Sequence, residues 1–149
     1  MKTVRLSHEY KADPHDLWAL CTDLGALVDM MDGLISFEGL PSGQIYEGQE
    51  INVRVSLFGR LPSQPYHMRV EECDANEMRV RSTEFGAGVE SWRHTMTIEK
   101  FAGGSRLNDV IEIEAGWLTW AFALWARFIY KRRHAPRLRL LQYRSTKAI

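Results

Sequence analysis

Apolar and polar residues alternate along most of this chain, and the alternation ends where a long aromatic and basic segment begins. In residues 3–10, Val4, Leu6, His8 and Tyr10 share one parity and Thr3, Arg5, Ser7 and Glu9 the other. That period of two predicts a half-buried strand. Asp13-Pro14-His15-Asp16 then supplies an N-cap, a proline at the first helical position and an acidic first turn. Leu17, Trp18, Leu20 and Cys21 give the apolar side of a short helix, and residues 24–31 predict a second one, broken from the first near Gly25.

Ile35 and Phe37 start the next extended segment, and residues 50–57 alternate strictly through Ile51, Val53, Val55 and Leu57. Tyr66, Met68 and Val70 oppose His67, Arg69 and Glu71; after a turn at residues 74–77, Met78 and Val80 oppose Arg79 and Arg81. Trp92, His94, Met96 and Ile98 form the apolar side of another strand. The Gly103-Gly104 pair then turns the chain into Leu107, Asp109, Ile111 and Ile113. The last segment, residues 117–143, changes period. It is long enough for one dominant helix of roughly 40 Å at about 1.5 Å per residue. Pro136 should kink or end it, because it removes an intrahelical hydrogen bond.

The order is strand, two short helices, six antiparallel strands and a long terminal helix, an α+β plan of seven strands. A cleanly alternating antiparallel sheet has one apolar face to cover, and the terminal helix is the only element long enough to cover it. At 149 residues the chain is expected to be one domain that buries about two-thirds of its unfolded surface. It contains no internal repeat or low-complexity tract.

Charge changes this picture at one end. Residues 1–114 carry 11 Lys and Arg against 19 Asp and Glu, a net of −8, whereas residues 115–149 carry 8 against none. The zero total therefore hides a basic end, read first as the exposed face of a helix partly neutralised by an acidic sheet. Nucleic-acid binding is disfavoured, because the acidic remainder repels phosphates and no docking motif is present. The apolar run 117–130 is interrupted by Arg127 and falls short of the roughly 20 residues that span a bilayer. No signal peptide is evident, and Cys21 and Cys73 lack metal-ligand spacing, so a cytoplasmic protein with reduced thiols is expected.

Several stretches resemble one superfamily. Ser91-Trp92-Arg93-His94-Thr95-Met96 with Gly103-Gly104-Ser105-Arg106-Leu107-Asn108-Asp109 is similar to the Trp-x-His strand and Gly-Gly-Thr-x-Leu-x-Asp hairpin of bacterial polyketide cyclase-like proteins. Residues 12–18 resemble the same family's first strand-to-helix entry, and residues 127–134 its C-terminal helix. The chain thus resembles the helix-grip superfamily, which also includes START domains and Bet v 1-like allergens. The resemblance implies a curved sheet gripping the long helix, with a cavity for a small hydrophobic ligand, aromatic or lipid-like.

The inward parities nominate Tyr66, Met68, Ser82, Trp92, Met96, Ile111 and Ile113 from the sheet. At helical spacing, Trp117, Ala121, Phe122, Trp125 and Ile129 supply the facing stripe, of which the last four are expected to touch ligand. Ala121, Ala123 and Ala126 would leave room for a void. Trp120 and Leu124 fall off this stripe and remain available for a membrane, a homodimer partner or the small helices, and the basic helix leaves peripheral membrane contact open.

Two interior polar residues carry the candidate chemistry. His94 suits proton transfer near neutrality, and Asp109 as a buried carboxylate must be paired or protonated. A turn centred on Gly103-Gly104 sets Asp109 opposite Ile98 and His94 opposite Ile113, about four residues apart along the sheet and too far for a direct pair at a rise near 3.3 Å. A structural role is the expectation for Asp109. If the protein is an enzyme, a cyclase or dehydratase, then His94, Asp109 and Tyr66 are the groups to suspect. Arg69 and Arg81 are second-tier candidates for holding a carboxylate or phenolate. No metal is expected from five scattered histidines, and no cofactor, because no phosphate-cradling loop opens a helix.

Overall fold

The computed structural model describes residues 1–147. Strand β1 (Lys2–Tyr10) is followed by α1 (Pro14–Cys21) and α2 (Leu24–Met30), then by β2 (Ile35–Glu38), β3 (Glu50–Leu57), β4 (Gln64–Asp74), β5 (Arg79–Gly86), β6 (Val89–Phe101) and β7 (Gly104–Glu114). Both short helices start on a side-chain cap. Asp13 Oδ1 accepts from the His15 N–H at 2.8 Å, and Asp23 Oδ1 accepts from the Gly25 N–H at 2.9 Å. The break between the helices therefore sits at Thr22-Asp23, where an N-cap ends one hydrogen-bond ladder and begins the next, rather than at Gly25.

All seven strands form one antiparallel sheet in the order β1-β7-β6-β5-β4-β3-β2. Register irregularities between Val70 and Glu72 and between Glu84 and Gly86 curl it, because each extra residue bends its strand and increases the local twist. Glycine is required at the second: Gly86 has φ of 120°, and a Cβ there would lie 2.5 Å from the Pro65 carbonyl oxygen.

The β6–β7 hairpin departs from expectation. Phe101 pairs with Gly104, so Ala102 and Gly103 form the two-residue loop, both with positive φ (48° and 81°), as a primed turn needs. Asp109 consequently pairs with Met96, and His94 with Ile111. The register is shifted by two residues from that of a turn centred on Gly103-Gly104, which keeps every side chain on its face but changes its neighbours.

The C-terminal helix follows a 3-10 turn (Gly116–Leu118) and has two segments, α3 (Thr119–Arg132) and α4 (His134–Lys147), interrupted at Arg133. Pro136 explains the interruption: it has no N–H to give the Arg132 carbonyl four residues back, and its ring crowds that carbonyl. Helix α3 packs over β1 and β7, where Ala126 is fully buried with Val4, Ile111, Ile113 and Ile129. The alanine is thus used for close approach at that position instead of for a void. Helix α4 lies on the small helices, with Leu140 and Leu141 against Leu20, Ala26 and Met30. Arg144 also bonds Asp23 at 2.5 Å. Space is left where α3 faces β3, β4 and β5.

Candidate functional site

That space is a cavity of about 160 Å³. Its apolar wall is built from Met31, Phe37, Val55, Met68, Phe122 and Ile129, with Trp92 and Trp125 beside them. Leu61 and Pro62 line it too and are exposed, so the cavity opens where the β3–β4 loop meets α3. The loop is held there by an edge-on contact between Phe58 and Trp125, with ring centroids 5.7 Å apart.

Five polar side chains converge on this wall: Gln64 and Tyr66 from β4, Glu84 from β5, Tyr130 from α3 and Arg133 from the break between α3 and α4. Strand pairing places Glu84 between Met68 and Trp92 on the inner face of the sheet. Burial raises the Glu84 pKa above the ordinary carboxylate value, against the opposing charges of His94 and Arg133. Burial also pushes Tyr130 up to about 12 and Tyr66 well above a free phenol, so both hydroxyls stay protonated and able to donate. The Arg133 guanidinium lies 4.1 Å from the Tyr130 ring centroid and donates through Nε to the Met31 sulfur at 3.2 Å. Among the described residues the buried Trp92 indole N–H has no hydrogen-bond partner of good geometry, although the Tyr130 hydroxyl lies near enough for it to act on. The set is rich in donors and suits an oxygen acceptor on an otherwise apolar molecule.

The sequence-derived positions divide. Tyr66, Met68, Trp92, Phe122, Trp125 and Ile129 line the cavity. Ser82, Met96, Ile111, Ile113 and Ala121 do not. Ser82 sits between Val70 and His94 in the sheet. Ile111 and Ile113 are sealed under Ala126, and Met96 is packed with Leu17 and Leu107. Trp117, expected to face inward, is 83% exposed, because it belongs to the 3-10 turn and not to the helical stripe. Arg69 and Arg81 lie on the outer face, paired with Glu50 and Glu71 and with Glu72, respectively. Glu84, Tyr130 and Arg133 had not been singled out, although Glu84 shares the parity of Val80 and Ser82.

His94 and Asp109 meet, contrary to the expected separation. The corrected register makes them diagonal neighbours, and His94 Nε2 is 2.6 Å from Asp109 Oδ1. Burial alone would raise the Asp109 pKa, but the hydrogen bond and charge of His94, followed by Arg137 and Arg133, hold it below the usual carboxylate value. Neither residue lines the cavity. Tyr130 stands between, its ring edge-on to His94 at 4.9 Å.

Behind the pair is a second polar group away from the cavity. His8 and His134 stack at 5.0 Å, Tyr10 lies 4.8 Å from His134, and Arg137 is only 2% exposed despite belonging to the basic segment. Among the described residues Asp109 Oδ2 has no hydrogen-bond partner, and the Tyr10 hydroxyl and the Arg137 guanidinium act on each other only at the limit of hydrogen-bond geometry. Among the described residues no group of three His, Cys, Asp or Glu side chains is placed to hold a metal ion.

The curved seven-stranded sheet, the two helices after β1 and the long terminal helix define the helix-grip, Bet v 1-like fold. No family model and no curated protein sequence matches the chain. Solved structures match its fold. Protein CV1439 from Chromobacterium violaceum superposes with a TM-score of 0.76 at 19% identity over 93% of this chain and 96% of its own. Ara h 8.0201 gives 0.67 at 16% identity over 92% and 97%. DynU16, from the dynemicin biosynthetic locus, gives 0.64 at 16% over 95% of this chain and 48% of its own. These likenesses show the fold; function is argued from the cavity.

Proposed function

We propose that the protein encloses a small hydrophobic ligand, with an aromatic or acyl body against Phe122, Trp125 and Val55 and an oxygen atom toward Tyr66, Glu84, Tyr130 and Arg133. The single observation that carries this reading is the apolar cavity with donors gathered on its wall. Size narrows the class. A dry cavity of about 150 Å³ accommodates benzene, so a space of about 160 Å³ takes a single ring or a short chain without rearrangement. A longer ligand would extend through the opening at Leu61 and Pro62.

Trp92 and Trp125 line the cavity, so their fluorescence provides a direct test by titration with single-ring phenols and aryl acids. Saturable change is expected in the parent chain. It should be lost in Val55→Phe, which fills the space from a well-packed strand. A signal absent from the parent, or unchanged in Val55→Phe, overturns the reading.

A cyclase or dehydratase activity is the second reading, favoured by one observation, the 2.6 Å contact of His94 and Asp109. Because Tyr130 separates the pair from the cavity, its role would be to orient and polarise Tyr130, with Tyr130 and Glu84 as the groups that touch substrate. Turnover lost in His94→Ala while titrated binding persists would select this reading over binding alone.

A further inference from the structure

The outer surface beside the cavity opening has a character that the cavity does not explain. Trp120, Leu124 and Phe128 follow one another at four-residue spacing on the solvent side of α3, and Leu124 is 61% exposed. Phe58 and Leu61 on the β3–β4 loop are each half exposed, and Phe58 joins the two regions through Trp125, which in turn lies 5.8 Å from Phe128. Scattered apolar residues on a surface are ordinary, but a joined patch marks something that covers it.

Charge identifies the cover. Arg127 and Lys131 fall on the same strip of α3, Arg132 lies 5.6 Å from the Phe128 ring centroid, and Arg60 is exposed on the loop. Residues 115–149 contain no Asp or Glu, while residues 1–114 are net acidic. A two-fold dimer through this face would set Arg127 and Lys131 against their own copies with no acidic partner on the helix. An anionic bilayer satisfies both components: tryptophan and leucine enter the headgroup boundary and the cations meet phosphate, with Asp29 and Asp32 beside Lys131 and Arg132 at the edge of the strip. No helix of the described residues is long and apolar enough to cross a membrane, so the contact is peripheral.

The geometry points to a docking face for an anionic lipid bilayer, made of the outer side of α3 and the β3–β4 loop, which brings the cavity opening at Leu61 and Pro62 to the membrane surface. Docking does not require the cavity to be filled, so its test uses no ligand.

The test is co-sedimentation of the full chain with vesicles of equal parts phosphatidylglycerol and phosphatidylcholine, and with phosphatidylcholine alone, at low and high salt. Binding is expected to the anionic vesicles only, weakened by salt, with a blue shift of tryptophan emission. Trp120→Ser with Leu124→Ser, and separately Arg127→Glu with Lys131→Glu, should each lower partitioning on the order of tenfold. All four side chains are exposed, so the thermal melts should match the parent, and circular dichroism confirms that the variants are folded. Absence of binding to anionic vesicles at low salt overturns the proposal, as does binding that neither pair of substitutions reduces. A concentration-dependent dimer abolished by the Trp120 and Leu124 pair, without vesicle binding, overturns it in favour of a second copy of the chain.

Discussion

Tyr66, Glu84 and Arg133 face the cavity, whereas Tyr10, Asp109 and Arg137, the same three chemical types, are enclosed at the packed end beneath α4. The two arginines are one helical step apart, and His94 lies close enough to act on both carboxylates. Yet the carboxylates shift in opposite directions, Glu84 upward and Asp109 downward. The difference is the hydrogen bond. Asp109 has a donor at 2.6 Å in His94, while no side-chain hydrogen bond to Glu84 forms among the described residues. A buried carboxylate with a partner in place is held charged and supports the fold. One without a partner is held toward neutrality and left able to bond with something that enters.

The comparison breaks most severely at Asp109. Replacing it with alanine leaves Arg137 and His94 facing an uncompensated interior, a loss of about 3–5 kcal/mol for one partner of a buried charged group. Urea unfolding should show the midpoint falling accordingly. A cost below about 1 kcal/mol would mean that the packed end does not depend on this carboxylate.

A packing test sharpens the same contrast. Ile111 is 0% exposed and surrounded by β1, β6 and α3, so Ile111→Ala should cost about 3 kcal/mol. Ile35 lines the cavity and already faces open space on one side. Ile35→Ala should therefore cost less than half as much, because fewer contacts are lost and less new void is created. Equal costs in chemical denaturation would show that the cavity closes up in solution.

Both regions were only partly legible in the sequence, for identifiable reasons. Strict alternation in β3, β4, β6 and β7 made the seven-stranded sheet readable, because a half-buried strand leaves a period of two. The His94–Asp109 contact was not readable, because Ala102 occupies a left-handed position that the neighbouring glycines seemed better suited to fill. A two-residue change of register preserves the faces and so leaves no trace in the alternation. Arg133 and Arg137 were hidden in a basic run that reads as solvated surface, although both continue the inward spacing of Ile129 by steps of four. Glu84 has the parity of an interior residue, but parity alone does not nominate it, because a glutamate on a strand ordinarily faces solvent. The segregation of charge, by contrast, is a property of composition alone and was fully visible.

The smallest effect is the most discriminating, because the same amide substitution should act with opposite sign at the two ends. The Glu84 pKa is raised on folding, so its stabilising contribution is present below the ordinary glutamate value and is lost as pH rises through the raised one. Above the ordinary glutamate value the raised pKa makes this carboxyl a net cost to the fold, and Glu84→Gln should stabilise the protein by about 1 kcal/mol. That gain should disappear toward about pH 4, where the parent is neutral as well. The Asp109 pKa is lowered on folding, so its contribution is present above the ordinary aspartate value and lost as pH falls through the lowered one. Asp109→Asn should therefore lose stability at neutral pH, and the loss should close in acid. His8 and His134, both lowered chiefly by burial, weaken the fold as pH falls below about 6.5; they do so alike in the parent and in Glu84→Gln, whereas removal of the Asp109 charge, which holds His8 up, lets His8 fall further and adds to the acid-side destabilisation of Asp109→Asn. Urea midpoints across this range give the two difference curves directly. If Glu84→Gln destabilises at neutral pH, the cavity carboxylate is a structural ion like Asp109, and the distinction between a wall that waits for a ligand and an interior that is already satisfied does not hold.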